Sequence, residues 1–348
     1  MEQGTENLEF DLNSLPEPED INDIMMNLMV NPNLSPLNYF NDFTDGAGGL
    51  KIDSKELIDS NIIELNDGSS LLSMTTHAMH HHLVSDPQKA AEILVTKAVR
   101  KMVCYGAKPI AVSALVYHIN FSDPNGNYIA SGIKAGLERV ADAYDLKIQE
   151  RKIRFDYFEE HGTQSPTLIV TLLGQVQRDK KGEVKATSID FKTKGNNIFL
   201  LGRPMDDLGS SDYLEFYHGI TNSPLPAFDL DFEVKLHKVI KDLIEENLIM
   251  SASPVGRGGL FFSLLRAGWV NGLGFDITTA AETRIDSFLF GESMGRIFVG
   301  VDPDVEDEFV DLVFESKIPF FTLGHVTRGE IRIDDESFGY IDKMSESL

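Results

Sequence analysis

A two-domain fold of mixed α/β (α+β) class is what this sequence predicts, and three observations carry that expectation. The 348-residue chain is long enough for two domains of ordinary size. Strand-type and helix-type patterns alternate in both halves, on either side of a charged, glycine-containing stretch at 179–196. Hydrophobic residues make up 42% and charged residues 25%, ordinary globular usage that excludes a disordered or fibrous chain.

The elements follow in order. Residues 1–18 are polar and acidic and read as an arm. Ile21, Ile24, Met25, Leu28 and Met29 recur at helical spacing, with Asp20 placed to cap. A proline- and glycine-rich stretch to Gly49 completes an arm and linker over 1–49. The first domain spans 50–180. Its strand candidates are Asn61–Leu65, Leu71–Met74, Pro109–Tyr117, Lys147–Phe155 and Thr167–Val176. Asp86-Pro87 starts a helix, because the carboxylate can accept free amides and proline presets φ. Gly106 suits its left-handed end. A second apolar stripe runs from Ile129 to Tyr144.

The second domain spans 195–335, with a tail at 336–348. Asn197–Leu201 is a strand, followed by a Gly/Ser turn and a helix. Asp229–Asn247 is a long amphipathic helix, Gly258–Ala267 and Asp304–Ser316 are shorter ones, and Gly272–Ile277, Arg296–Val301, Phe320–Val326 and Glu330–Ile333 are strands.

The formal net charge of −24 repels phosphate backbones and anionic lipid, which argues against nucleic acid and membranes as partners. No apolar run reaches the roughly 18 residues of a membrane span. The N-terminus lacks a signal pattern and Cys104 is the single cysteine, so a cytoplasmic location is expected. Cys104 lies in an apolar helical pattern and reads as core.

Several segments, in order, resemble one known family. They are EPEDINDIMMNLMVNPNLSPLNYFNDF, LVSDPQKAAEILVTKAVRKMVCYGAKPIAVSAL, FLLGRPMDDLGSSDYLEFYHGI, SPVGRGGLFFSLLRAG, GLGFDI, LFGESMGRIFVGV and IPFFTLGHV. Together they resemble the second half of the phosphoribosylformylglycinamidine (FGAM) synthases, ATP-dependent amidotransferases of purine biosynthesis in the aminoimidazole ribonucleotide (AIR) synthetase superfamily. The resemblance implies an N-terminal α/β domain that pairs with a copy of itself into a β-barrel, hence a homodimer, and a C-terminal α+β domain beside it. It also implies ATP or ADP as ligand, and a complete amidotransferase or a glutaminase as partner.

The same resemblance marks departures. Family carboxylates that hold Mg²⁺ fall here on changed residues. A Gly-Asp pair is echoed only by Asp67 in Asn66-Asp67-Gly68-Ser69, and a Thr-Asp-Gly falls on Thr76-His77-Ala78, in a loop after a strand. A Ser-Asp-Gly-Gly falls on Gly256-Arg257-Gly258-Gly259. Asn120 survives from an Asn-Phe-Gly-Asn-Pro motif. An arginine cannot ligate Mg²⁺ and repels it, so the expectation is ATP or ADP without the standard metal site, and no catalytic residue is assigned. If the chain is active, the implied reaction is ATP-dependent C–N ligation. The alternative is a non-catalytic paralogue that binds a nucleotide or phosphorylated ligand, or that docks on a complete synthase.

The candidate phosphate or nucleotide contacts are Gly209, Ser210, Ser211, Gly256, Arg257, Gly258, Gly259 and Asn120. Turns that open helices present free amides to anions, and Arg257 could grip two oxygens at once. Each turn reads equally as a plain structural cap. Asp67, His77 and Glu292 are further cleft candidates, Glu292 with the alternative of a salt bridge to Arg296. His77 and His81 would share a face on a helix, a weak metal pair without a completing carboxylate.

Overall fold

The computed structural model describes residues 11–31, 34, 62–64, 71–80, 82–122, 124–154, 165–178, 181–182 and 184–344. The chain divides into two units; the first holds the described residues of 62–186 together with 228–237, and the second holds the others.

After a 3-10 turn at Leu12–Ser14, α1 (Ile21–Met29) begins where Asp20 Oδ1 accepts from the amides of Asn22 at 2.8 Å and Asp23 at 3.3 Å. Ile24, Met25, Leu28 and Met29 are fully buried in the core of the second unit, with Phe261, Phe290 and Phe298, and Ile21 packs partly buried against it. The helical part of the arm is therefore core structure.

In the first unit, β1 (Ile62–Glu64), β2 (Leu71–Met79), β3 (Ala107–Tyr117), β4 (Lys147–Arg154) and β5 (Thr167–Val176) form one sheet in the order β1-β2-β5-β3-β4. Only the β3–β4 pair is parallel. α2 (Pro87–Cys104) starts at Asp86, whose Oδ1 accepts from Lys89 N at 3.0 Å, and is closed by Gly106 at φ +81°. α3 (Pro124–Tyr144) crosses α2 closely: a Cβ on Gly136 would stand 2.5 Å from Gln88 O. Alternation along the strands sends Val112, Ala114, Val116, Leu168, Val170 and Leu172 to a buried face. Residues of the other parity, including Ile169, Thr171, Leu173 and Leu115, are half-buried, and Met74 is 50% exposed. Cys104 is fully buried, and burial pushes its thiol well above the ordinary range.

β2 continues five residues beyond the expected Met74, because its ladder with β5 runs from Leu71↔Val176 to Met79↔Leu168. His77 therefore lies within a strand and not in a loop, and it cannot share a helix face with His81. His81 and Asp67 fall outside the described residues.

The first turns of α4 (Leu230–Glu245) belong to this unit and carry a buried ionic cluster. Arg100 Nε donates to Glu233 Oε2 at 3.2 Å, and its Nη2 donates to Oε1. His237 Nε2 lies 3.2 Å from Glu233 Oε2, and His237 Nδ1 meets the Tyr144 hydroxyl at 2.6 Å. Burial alone would raise Glu233, but Arg100 and His237 outweigh it and hold the carboxyl at about 2.

The second unit is built on β6 (Asn197–Leu201), β7 (Ser251–Pro254), β8 (Gly274–Ile277), β9 (Ile297–Val301), β10 (Phe320–Thr327), β11 (Glu330–Ile333) and β12 (Glu336–Tyr340). Their order is β12-β11-β8-β10-β6-β9-β7, with β8–β11 the parallel pair. α5 (Gly259–Trp269), α6 (Ile285–Phe290), α7 (Glu306–Ser316) and α8 (Ile341–Met344) complete it. The stretch expected as a tail is thus partly β12 and α8. Asp334 and Asp335, at φ +49° and +67°, make a tight turn that pairs Ile333 with Glu336. The helix expected after β6 is a single π-helical segment, Tyr213–Tyr217, closed by His218 N to Tyr213 O at 3.3 Å.

Candidate functional site

Two turns of the second unit carry most of the sequence candidates. The first, Leu208–Ser211, lies between β6 and the π-helical segment. Gly209 N donates to Asp207 Oδ1 at 2.9 Å, and Ser210 N to Ser223 Oγ at 2.8 Å. Ser211 N donates to Leu208 O at 3.2 Å, while its hydroxyl accepts from Leu214 N at 3.3 Å. The second turn, Gly256–Gly259, joins β7 to α5. Gly256 N donates to Ser263 Oγ at 3.1 Å, and Gly259 N to Gly256 O at 3.0 Å. Gly259 needs to be glycine twice over: φ is +74°, and a Cβ would stand 2.5 Å from Leu289 O.

Two carboxylates tie these turns together. Arg257 donates from Nε to Asp212 Oδ2 at 3.0 Å and from Nη2 to Asp212 Oδ1 at 2.9 Å, a two-pronged pair. Glu292, 5% exposed, accepts through Oε1 from the amides of both Asp212 and Gly258, each at 2.9 Å. Burial disfavours the Arg257 charge, yet its bond to Asp212 and the nearby Glu292 raise its pKa above the ordinary arginine value. Asp212 is 7% exposed and Arg257 50%. The Arg257 side chain thus closes over the acid while half of its surface stays in solvent. The backbone amides of Gly209, Ser210, Ser211, Gly256, Gly258 and Glu292's partner Asp212 all have acceptors inside the chain.

This donor set does not fit magnesium. The ion takes oxygen ligands, commonly carboxylates, and the acid facing Arg257 is already neutralised by a permanent cation. Among the described residues no group of three or more His, Cys, Asp or Glu side chains is placed to hold a metal ion.

The remaining candidates lie in the first unit. Asn120 Oδ1 accepts from Ser122 N at 2.9 Å, which makes it an exposed turn cap. His77 is half-buried on β2, and its Nε2 is buried without a hydrogen-bond partner. Burial, then Lys101 and Lys97 on α2, lower its pKa to about 4. Asp212, Asp207, Lys97 and Lys101 were not singled out by sequence reasoning. Asp212 directly follows the Gly/Ser turn, where an acid at a helix start is the available signal.

The fold and the glycine-rich turns define a two-domain protein of AIR synthase type. The model of "AIR synthase related protein, N-terminal domain" matches residues 58–176, and that of the corresponding C-terminal domain matches 193–335. The chain belongs to this AIR synthase related family. Among named relatives, it is similar to phosphoribosylformylglycinamidine synthase subunit PurL of Moorella thermoacetica, at 27% identity over 326 residues, 90% of this chain and 42% of the relative. The chain therefore spans under half the length of that relative. Among solved structures it resembles T. maritima PurL complexed with ATP, with TM-score 0.65 and 15% identity over 81% of this chain and 45% of the other. It also resembles a chain of a HypE–HypF complex, with TM-score 0.63 and 16% identity over 86% of this chain and 96% of that one. These structural likenesses establish the fold. No described helix is long and apolar enough to cross a membrane.

Proposed function

We propose that this chain is an FGAM synthase-related protein of purine biosynthesis that binds a nucleotide or phosphorylated ligand and lacks the standard Mg–ATP site. The carrying observation is the two-pronged Arg257–Asp212 pair at the glycine-rich turn, where a guanidinium engages the acid nearest the site. The half-exposed edge of Arg257 offers donors to an incoming phosphate, as ATP or ADP would present. Ser210, Ser211 and Gly256–Gly259 shape its surroundings, and Glu292 holds the two turns in register. Similarity to a PurL that was solved with ATP supports nucleotide as the ligand class.

Two further parts belong to the same reading. The half-exposed apolar face of the five-stranded sheet suits pairing with a second copy of the chain into a barrel. A cytoplasmic location and docking on a complete amidotransferase or a glutaminase fit the PurL relatives. Should the chain turn over, the reaction is ATP-dependent C–N ligation, with the missing groups supplied by such a partner.

Calorimetry with ADP on the purified chain tests the site. Arg257→Ala is expected to weaken binding by about tenfold, the loss of one charge-assisted contact; unchanged affinity removes Arg257 from the reading. Met74→Glu, on the open sheet face, is expected to yield monomers in sedimentation. A wild type that is already monomeric contradicts the pairing.

A further inference from the structure

Two arginines stand at the glycine-rich turn, and the chain treats them differently. Arg257 gives Nε and Nη2 to the oxygens of Asp212, which leaves Nη1 without an acceptor among the described residues. Arg266, half-buried on α5, reaches back to the same turn. Its Nη2 donates to Arg257 O at 2.8 Å and to Ser263 Oγ at 3.2 Å. Ser263 Oγ in turn accepts from Gly256 N at 3.1 Å and donates to Gly259 O at 2.7 Å. One nitrogen of Arg266 thus pins the turn. Its Nε and Nη1 meet no acceptor among the described residues, and neither is a buried orphan, so solvent reaches both.

No carboxylate pairs with Arg266 among the described residues, although Glu292 and Asp212 act on it from further off. Those acids are engaged elsewhere. Glu292 Oε1 takes the amides of Asp212 and Gly258, and both Asp212 oxygens take Arg257. Burial lowers the Arg266 pKa to about 10, so it remains a cation at neutral pH. A half-buried guanidinium with open donors and no paired acid is a charge that its own fold leaves unsettled.

We propose that Arg266 receives the terminal phosphate of a ligand held at the glycine-rich turn, with Arg257 Nη1 as a second donor, and that the two select a phosphate monoester over a diester. The inference rests on the reading of that turn as a site for a phosphorylated ligand. A monoester carries about −1.5 to −2 at neutral pH. Arg257 is already met by Asp212 and cannot balance that charge alone, and Arg266 supplies the second cation. A diester, with a single charge, gains less from it.

Calorimetry of the full chain with AMP and with cyclic AMP, both in excess chelator, tests the assignment. The two ligands share base and ribose and differ in the charge of the phosphate. The wild type is expected to bind AMP more tightly by about tenfold or more. Arg266→Gln should weaken AMP by about tenfold and leave cyclic AMP unchanged, and Arg266→Lys should restore part of the preference because it returns the charge. A role confined to pinning Arg257 O would weaken both ligands alike, and that result overturns the proposal. Should Arg266→Gln fail to fold, or cyclic AMP bind too weakly to measure, the wild type decides: AMP should shift the Nε–H NMR resonance of Arg266, and saturation without that shift overturns the proposal. Affinities that depend on Arg257 but not on Arg266 also overturn it, and leave the reading of the turn standing. Affinities that depend on Arg266 but not on Arg257 support it. A wild type that binds none of AMP, cyclic AMP and ADP removes the reading of the turn and this inference with it.

Discussion

The turns around Arg257 and the seam around His77 handle charge in opposite ways. At the glycine-rich turn the chain supplies its own counter-charges: Asp212 meets Arg257, and Glu292 takes the amides of Asp212 and Gly258. At the seam, two lysines press on a neutral imidazole whose Nε2 has no described partner. The buried cluster of Arg100, Glu233 and His237 is a third arrangement, matched and sealed from solvent. Membership of one fold family does not settle how charge is balanced at each place in the fold. Internal pairing balances charge at the turn and in the sealed cluster, while the seam holds an imidazole neutral against lysine charge.

The comparison is broken most severely at the sealed cluster. Glu233→Ala removes the carboxylate that meets the buried Arg100 guanidinium, and denaturant unfolding should show a loss of about 3–5 kcal/mol. A loss under ~1 kcal/mol would mean that the cluster is hydrated. Acid sharpens the same contrast. Glu233 is depressed to about 2, so its contribution is present above the ordinary carboxyl range and disappears as pH falls toward that value. His77 is depressed from 6.5 to about 4, so the unfolded chain binds its proton first and stability declines as pH falls across that interval. The decline should come in two windows, with the upper one reduced in His77→Gln and the remainder supplied by His218 and His237, whose pKa values burial also lowers; an upper window unaffected by that substitution contradicts the assignment.

Glu292→Ala comes next in size. It leaves two buried amides without their acceptor and should cost about 1–3 kcal/mol each at most, read as a lower urea midpoint. Glu292→Gln keeps an acceptor oxygen and should cost less than the alanine variant; an equal loss would point to the charge itself. Arg257→Ala is the mildest change. Its side chain is 50% exposed and screened by solvent, so stability should fall by under ~1 kcal/mol even as ligand binding weakens.

Local signals explain what was legible in advance. Asp20, Asp86-Pro87 and Gly106 specify helix ends through their own nearest neighbours, and α1 and α2 begin and end there. The β-branched run at Thr167–Val176 is likewise a strand. Less was legible where partners are distant. β2 reaches His77 because β5 lies alongside, a fact no window around Met74 contains. The Asp334-Asp335 turn carries a hairpin signal in its own residues, since aspartate tolerates positive φ, and it leads into β12 where the tail is expected. At the candidate site, the glycines and Arg257 stood out by composition. Their partners Asp212 and Glu292 come from segments 45 and 34 residues away in the sequence, joined only by the tertiary fold.

The central claim is that a guanidinium has taken over the charge balance that magnesium would otherwise supply at the glycine-rich turn. Its most direct test is ADP affinity measured by calorimetry in excess chelator and again in excess Mg²⁺. Equal affinity in the two conditions is the predicted result. Binding that appears only with Mg²⁺, or strengthens strongly with it, would contradict the account.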